Sequence, residues 1–93
     1  MLDPKVSSLI DQAFSEADRP NARAALESCD PAWAWNHENL MIRCQIAAIA
    51  ASRGNLNTLL SVLITFETDF RDLLVGAGFA HDTEKHLTWT PDW

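Results

Sequence analysis

The side chains best suited to chemistry lie near the C terminus, where two histidines and two acids fall within six residues. His81, Asp82, Glu84 and His86 are all of a type that binds divalent metal ions. A helical pair of metal ligands needs histidines at i and i+4, as in the HExxH motif, whereas these two histidines are five residues apart. We therefore predict a solvated polar tail and no metal site here.

A second candidate for acid and base chemistry is the pair His37 and Glu38. We predict that this pair begins a helix, with the Glu38 carboxylate interacting favourably with the helix dipole. The alternative is a small enzyme or ligand-binding protein. It would have a polar site between the central helix and the C-terminal tail, built from His37, Glu38, His81 or His86.

The sequence contains no motif for nucleophilic catalysis or phosphate binding: GxSxG, a Walker-type loop and a DxD-like cluster are all absent. We predict no catalytic residue and no cofactor. Cys29 and Cys44 are too few for a disulfide framework and lack CxxC spacing, so we expect reduced thiols that pack in the core.

The tryptophans are the unusual feature, because the chain has four of them and no tyrosine. Trp33 and Trp35 share a face if the chain is extended and point apart if it is helical. Large aromatic side chains are enriched at binding hot spots, so we predict that Trp33, Trp35 or Trp93 contacts a partner. The alternative is that Trp33 or Trp35 fills the core while Trp89 closes it from the tail.

Charge favours some partners over others. The chain has 13 acidic residues against seven lysines and arginines, a net charge of −6, which predicts no nucleic-acid binding. The cluster Glu67, Asp69, Arg71 and Asp72 fits either a solvated face with an internal pair to Arg71 or a contact for a basic partner. For the second interpretation we nominate Glu67 and Asp69.

The length of 93 residues predicts one domain over residues 1–93. The first 20 residues contain four acids and no apolar run, which predicts no signal peptide. No stretch of 18 uncharged apolar residues occurs, so we expect no membrane contact and a cytoplasmic protein.

Start and stop signals divide the chain into helices. Asp3-Pro4 predicts a helix start, Gly54 predicts a stop, and Asn55 predicts the next start. Two apolar stripes on residues 37–53 predict a central helix that is buried on more than one side. The remaining expectations for the first half are a first helix to residue 17, a short helix over 22–29, and a turn or one helical turn over 30–36. In the second half we expect a helix from 56 that breaks near 67–69 and a last short helix to 77, with one long helix to 75 as the alternative.

The turn between the central helix and the next one resembles two known helix pairs. The alanine at position 50 and the aliphatic residue at position 60, on either side of Gly54, are similar to a DNA-binding helix-turn-helix. The segment that would read the DNA, residues 56–64, has no lysine or arginine. The same turn is similar to an ankyrin helix pair, but no unit repeats. We therefore predict a tight helical hairpin closed by glycine.

Four stretches, 43–48 (RCQIAA), 54–56 (GNL), 69–75 (DFRDLLV) and 77–80 (AGFA), resemble a family of short uncharacterised bacterial all-helical cytosolic proteins. The resemblance implies a helical fold and a bacterial cytosolic origin. It supplies no activity and no catalytic residue.

Together these patterns predict an all-α fold: a single compact domain of four to five helices around a buried central helix at residues 37–53. A non-helical C-terminal tail, residues 79–93, packs on it. We expect a small cytosolic protein-interaction or regulatory module that binds a protein partner or itself, with a homodimer as one form.

Overall fold

A computed structural model describes residues 2–93, and within that range the chain forms six α-helices, one 3₁₀ turn and no strand. The all-α prediction is confirmed. No helix in this part of the chain is long and apolar enough to cross a membrane. The helices are α1 (Pro4–Ala13), α2 (Arg19–Glu27), α3 (Glu38–Ser52), α4 (Leu56–Thr68), α5 (Phe70–Ala77) and α6 (Lys85–Thr88), and the 3₁₀ turn (Pro31–Ala34) lies between α2 and α3.

Helix α3 is the centre of the fold and packs against α1, α4, α5, α6 and the 3₁₀ turn. Every residue from Cys44 to Ile49 is buried, because neighbours cover α3 on nearly all sides. This confirms the prediction from the two apolar stripes. Gln45 is the polar member of this run, and its side-chain amide donates a hydrogen bond to the Leu26 carbonyl at 3.0 Å.

The turn after α3 uses two left-handed residues in succession, Arg53 at φ 51° and Gly54 at φ 79°. A Cβ atom on Gly54 would lie 2.5 Å from the carbonyl oxygen of Ala13, because the end of α1 passes directly over the turn. Glycine is therefore required at position 54 both by backbone conformation and by the close approach of α1.

The predicted helix starts at Asp3 and Asn55 are confirmed by side-chain caps. The Asp3 carboxylate accepts from the Lys5 N–H and the Asn55 side chain from the Thr58 N–H, both at 3.0 Å. Helix α1 ends at Ala13 and not at residue 17 as predicted. The Arg19 guanidinium explains the early end, since it donates to main-chain carbonyls in the last turn of α1 and just after it.

Helices α4 and α5 are separate, so the alternative of one long helix to residue 75 is wrong. Asp69 adopts an extended conformation between them, and its carboxylate accepts from the Arg71 N–H at 3.0 Å to begin α5. Apolar residues occur on most sides of α4, but only one face of this helix is buried, and Leu60 and Ile64 on the other are 46% and 65% exposed.

The tail departs from its predicted pattern because α6 forms one helical turn within it. An extended segment would place Leu87 and Trp89 on one buried face, but a helical turn rotates them apart. Leu87 is exposed. Trp89 is half-buried, with its ring centroid 6.3 Å from that of Phe79.

Both cysteines are free thiols buried in the core, as predicted. Burial raises the pKa of Cys29 to about 11 and that of Cys44 to about 12. Both side chains therefore stay protonated at neutral pH and act as small apolar packing groups.

Candidate partner-binding groove

Two segments that are distant in sequence meet at one edge of the fold: the 3₁₀ turn and the junction of α4 with α5. Trp33 is half-buried and packs edge-to-face against Phe66, with ring centroids 5.4 Å apart. Trp35 packs in the same manner against Phe70 at 4.9 Å. These two aromatic pairs join the turn to the helix junction.

Between the two segments lies an open cavity of about 270 Å³, which we call the aromatic groove. Cavities that hold drug-sized ligands occupy roughly 300–1,000 Å³, so this volume suits one side chain of a partner. The aromatic rings form its apolar part and the α4–α5 junction supplies its polar rim. Its lining residues are Ala32, Trp33, Trp35, Phe66, Glu67, Thr68, Asp69, Phe70 and Arg71.

The backbone holds Trp35 at the groove in an unusual conformation. Trp35 and Asn36 both have positive φ angles, 54° and 59°, which are rare for residues other than glycine. Main-chain hydrogen bonds from Trp35 to Ala32 and from Asn36 to Pro31, at 3.1 and 2.9 Å, fix this geometry. The Trp35 side chain is 63% exposed, so a strained turn presents a large apolar ring to solvent.

The rim of the groove carries negative charge. Arg71 forms a two-pronged ion pair with Asp69, with both N–O distances 3.1 Å, and these hydrogen bonds lower the pKa of Asp69. Glu67 is exposed and forms no ion pair with any residue that the structure describes. Since Arg71 is already paired with Asp69, the Glu67 charge at the groove is not neutralised.

An apolar stripe on α4 leads to the groove. Leu60, Ile64 and Glu67 follow one another at i, i+4 and i+7, which places them on one face of the helix. Leu60 and Ile64 are the exposed apolar residues of α4. The groove and this stripe together form an extended apolar surface with a carboxylate where they meet.

Of the five residues nominated from the sequence for partner binding, four line the groove: Trp33, Trp35, Glu67 and Asp69. Trp93 lies elsewhere. Its ring centroid is 5.8 Å from that of Trp89, and the Arg53 guanidinium stands 5.6 Å from the Trp93 ring.

Sequence reasoning missed the role of two phenylalanines in the groove. Phe66 and Phe70 fit the apolar pattern of their helices, but each ring also packs edge-to-face against a tryptophan in or just after the 3₁₀ turn. The helix break at Asp69 was the available signal, because it separates the two rings and directs each to a different indole.

The residues of the alternative polar site are not brought into one cavity among those described here. His37 occupies the N-cap position of α3 without a side-chain capping bond and is exposed, and Glu38 lines a separate cavity near α1. His81 is exposed, whereas His86 is partly buried, and its pKa is lowered first by this burial and then by the Arg43 charge. Within residues 2–93, no three histidine, cysteine, aspartate or glutamate side chains are grouped so that they could hold a metal ion.

No family model, curated protein or solved structure matches this chain. The resemblances to the bacterial family and to the helix-turn-helix stay predictions from the sequence.

Proposed function

We propose that this protein is a small protein-interaction module without catalytic activity, and that its aromatic groove binds a basic, amphipathic segment of a partner protein. The observation that carries the proposal is the position of Trp35. A strained, hydrogen-bonded turn holds this indole 63% exposed beside an unneutralised Glu67 carboxylate. Exposed aromatic rings on a rigid frame are typical of binding hot spots.

The chemistry of the groove defines the segment that fits it. An apolar side chain of the partner enters between Trp33 and Trp35 and covers the exposed rings. A neighbouring lysine or arginine pairs with Glu67 and stacks on Trp35, a cation–π contact that contributes about 0.5–1 kcal/mol at an exposed site. Further apolar residues of the partner cover Leu60 and Ile64 along α4.

A foreign partner fits this surface better than a second copy of the chain. Each copy carries a net charge of −6, so two copies repel each other before specific contacts form. The rim of the groove is acidic as well, which favours a basic partner and a fast, salt-sensitive association. Homodimerisation through the same face is the alternative form of the proposal.

We also propose a cytoplasmic location and no binding to nucleic acid or membranes. Two free buried thiols are typical of proteins kept in a reducing compartment. Helix α4, which would be the recognition helix of a helix-turn-helix, contains neither lysine nor arginine and exposes leucine and isoleucine instead. Such a surface offers nothing to a phosphate backbone.

Affinity capture from lysate of the source cells tests the proposal. The bait is the wild-type protein, the groove variant Trp35→Ala with Glu67→Gln, or the matched control Leu87→Ala with Glu16→Gln, which alters an exposed apolar residue and an acid outside the groove. We expect wild type and control to retain the same discrete protein, and the groove variant to retain at least about tenfold less. Raising the salt concentration should weaken the retention.

Two results would contradict the proposal. One is equal recovery with all three baits, and the other is no discrete protein with the wild type. Circular dichroism of the three baits confirms that each is folded.

A further inference from the structure

The last part of the chain, residues 80–93, packs on the fold with few polar contacts, and we call it the terminal strap. Within residues 2–93, no hydrogen bond or ion pair joins the strap to residues 2–77. The main chain is last fixed at Phe79, whose N–H donates to the Leu74 carbonyl at 2.8 Å. Lys85 of the strap reaches back only to the Gly78 carbonyl, at 3.2 Å. The docking of the strap on the helices therefore depends on the packing of its side chains.

Aromatic rings supply most of this packing. The Trp89 ring centroid lies 6.3 Å from that of Phe79 and 5.8 Å from that of Trp93. The Trp93 ring is 5.6 Å from the Arg53 guanidinium at the turn between α3 and α4, and its side chain is 44% exposed. Elements with few buried contacts open locally at a lower free energy than the whole fold. Release of the strap therefore does not require helices α1–α5 to unfold.

His86 lies in α6, where the strap meets the helices, and its surroundings disfavour a charged imidazole. Its Nδ1 and the Nε of Arg43 are both buried, and neither has a hydrogen-bond partner within residues 2–93. Burial, and then the charges of Arg43 on α3 and Lys5 on α1, lower the pKa of His86. Asp82 and Glu84 act in the opposite direction, but they belong to the strap and move with His86. Release therefore removes the repulsion from the two cations and keeps the attraction to the two acids.

We propose that protonation of His86 releases the terminal strap from the helices while α1–α5 stay folded. A protonated imidazole carries an N–H at both ring nitrogens, so the buried Nδ1 becomes a donor without an acceptor. Because a buried charge without partners is costly, the docked position suits only the neutral ring. The strap is docked at neutral pH and leaves as the pH falls below the ordinary histidine pKa of about 6.5. The aromatic groove contains no residue of the strap, so this proposal is independent of the function of the groove.

The indole N–H signals in ¹⁵N NMR spectra of the full chain distinguish release of the strap from unfolding of the whole protein. Trp89 and Trp93 lie in the strap, whereas Trp33 and Trp35 line the groove. The spectra are recorded from pH ~7.5 to pH ~5, a range in which ordinary carboxylates stay mostly ionised.

Two variants assign the pH dependence to one histidine. The chain has three histidines, so the double variant His37→Gln with His81→Gln leaves His86 as the only one. The titration of the His86 ring is then followed directly by its own NMR signals. The matched control, His86→Gln, keeps the other two histidines and cannot be protonated at position 86.

In the wild type and the double variant, we expect the Trp89 and Trp93 signals to move to random-coil positions with the midpoint of the His86 titration. The Trp33 and Trp35 signals should keep their folded positions throughout, and His86→Gln should show no such movement. Strap signals that stay in place while His86 titrates would overturn the proposal. Movement of all four indole signals together, or the same movement in His86→Gln, would also overturn it, because these results indicate global unfolding or another titrating group.

Discussion

At the scale of single residues, the conformation of the backbone explains features of two turns that side-chain chemistry alone does not explain. Trp35 and Asn36 adopt left-handed conformations, which cost about 1–2 kcal/mol for a bulky residue such as Trp35 and less for asparagine. The turn tolerates this cost because hydrogen bonds and the edge-to-face packing of Trp35 against Phe70 hold it in place. The same conformation recurs at Gly54, where it coincides with a close contact.

Two glycine substitutions should have opposite effects on stability. Gly54→Ala forces a Cβ atom into a left-handed residue and against the Ala13 carbonyl, so we expect a loss of about 2 kcal/mol or more. Gly76 lies inside α5 with no atom near its added Cβ, so Gly76→Ala should add about 0.5–1 kcal/mol. Urea denaturation measures both, and a neutral Gly54→Ala would show that the turn differs from the one described.

Replacing the two tryptophans of the groove should change the stability of the protein by different amounts. Trp33 is half-buried on Phe66, so Trp33→Ala should cost about 2–3 kcal/mol of folding free energy. Trp35 is mostly exposed, and its removal also relieves a bulky left-handed residue, so Trp35→Ala should cost less than about 1 kcal/mol. Thermal melting of the two variants checks the order, and a larger loss for Trp35→Ala would place its ring in the core.

At the scale of elements, local signals in the sequence predicted the helices but not their exposed faces. Asp3 and Asn55 cap helices as expected, because a cap depends on neighbouring residues only. Leu60 and Ile64 are apolar but exposed, and periodicity alone does not show which apolar face of a helix meets the core. The groove depends on contacts between residues 33 and 35 positions apart, which no local pattern indicates.

The packing of α6 against α3 depends on pH through His86. Arg43 on α3 donates to the carbonyl of Phe79, the first residue of the tail, at 2.6 Å. The pKa of His86 is lowered, first by burial and then by the charges of Arg43 and Lys5, while two tail acids oppose the shift. Nδ1 of His86 is buried and has no described hydrogen-bond partner. Protonation of His86 therefore opposes the docked position of α6.

This arrangement predicts a loss of stability in mild acid. Because the folded chain holds His86 below its ordinary pKa of about 6.5, the unfolded chain binds more protons in this range. The contribution is complete above pH ~6.5 and is lost as the pH falls toward the folded pKa. His86→Gln should weaken the decline, and the control His81→Gln, at an exposed position, should retain it. Identical pH profiles of unfolding for the three proteins would contradict the account.

At the scale of the whole molecule, the described chain is one compact unit with the aromatic groove at one edge. The Cα radius of gyration is 11.6 Å, as expected for one small folded unit.

Charge also predicts the state of the isolated protein. With a net charge of −6, copies repel each other, and the exposed apolar stripe on α4 is narrow. Sedimentation velocity at about 0.1 M salt should show a monomer near 10.4 kDa. A dimer that disappears in Trp35→Ala would instead support self-association through the groove.

The most direct test of the groove as a partner-binding site is photocrosslinking in the source cells. A photoreactive benzoylphenylalanine replaces Trp35 in one protein and the exposed Leu87 in the control. The proposed function predicts a discrete adduct to a foreign, basic protein from position 35, absent from position 87 and weakened by Glu67→Gln. No adduct from position 35, or the same adducts from both positions, would contradict it.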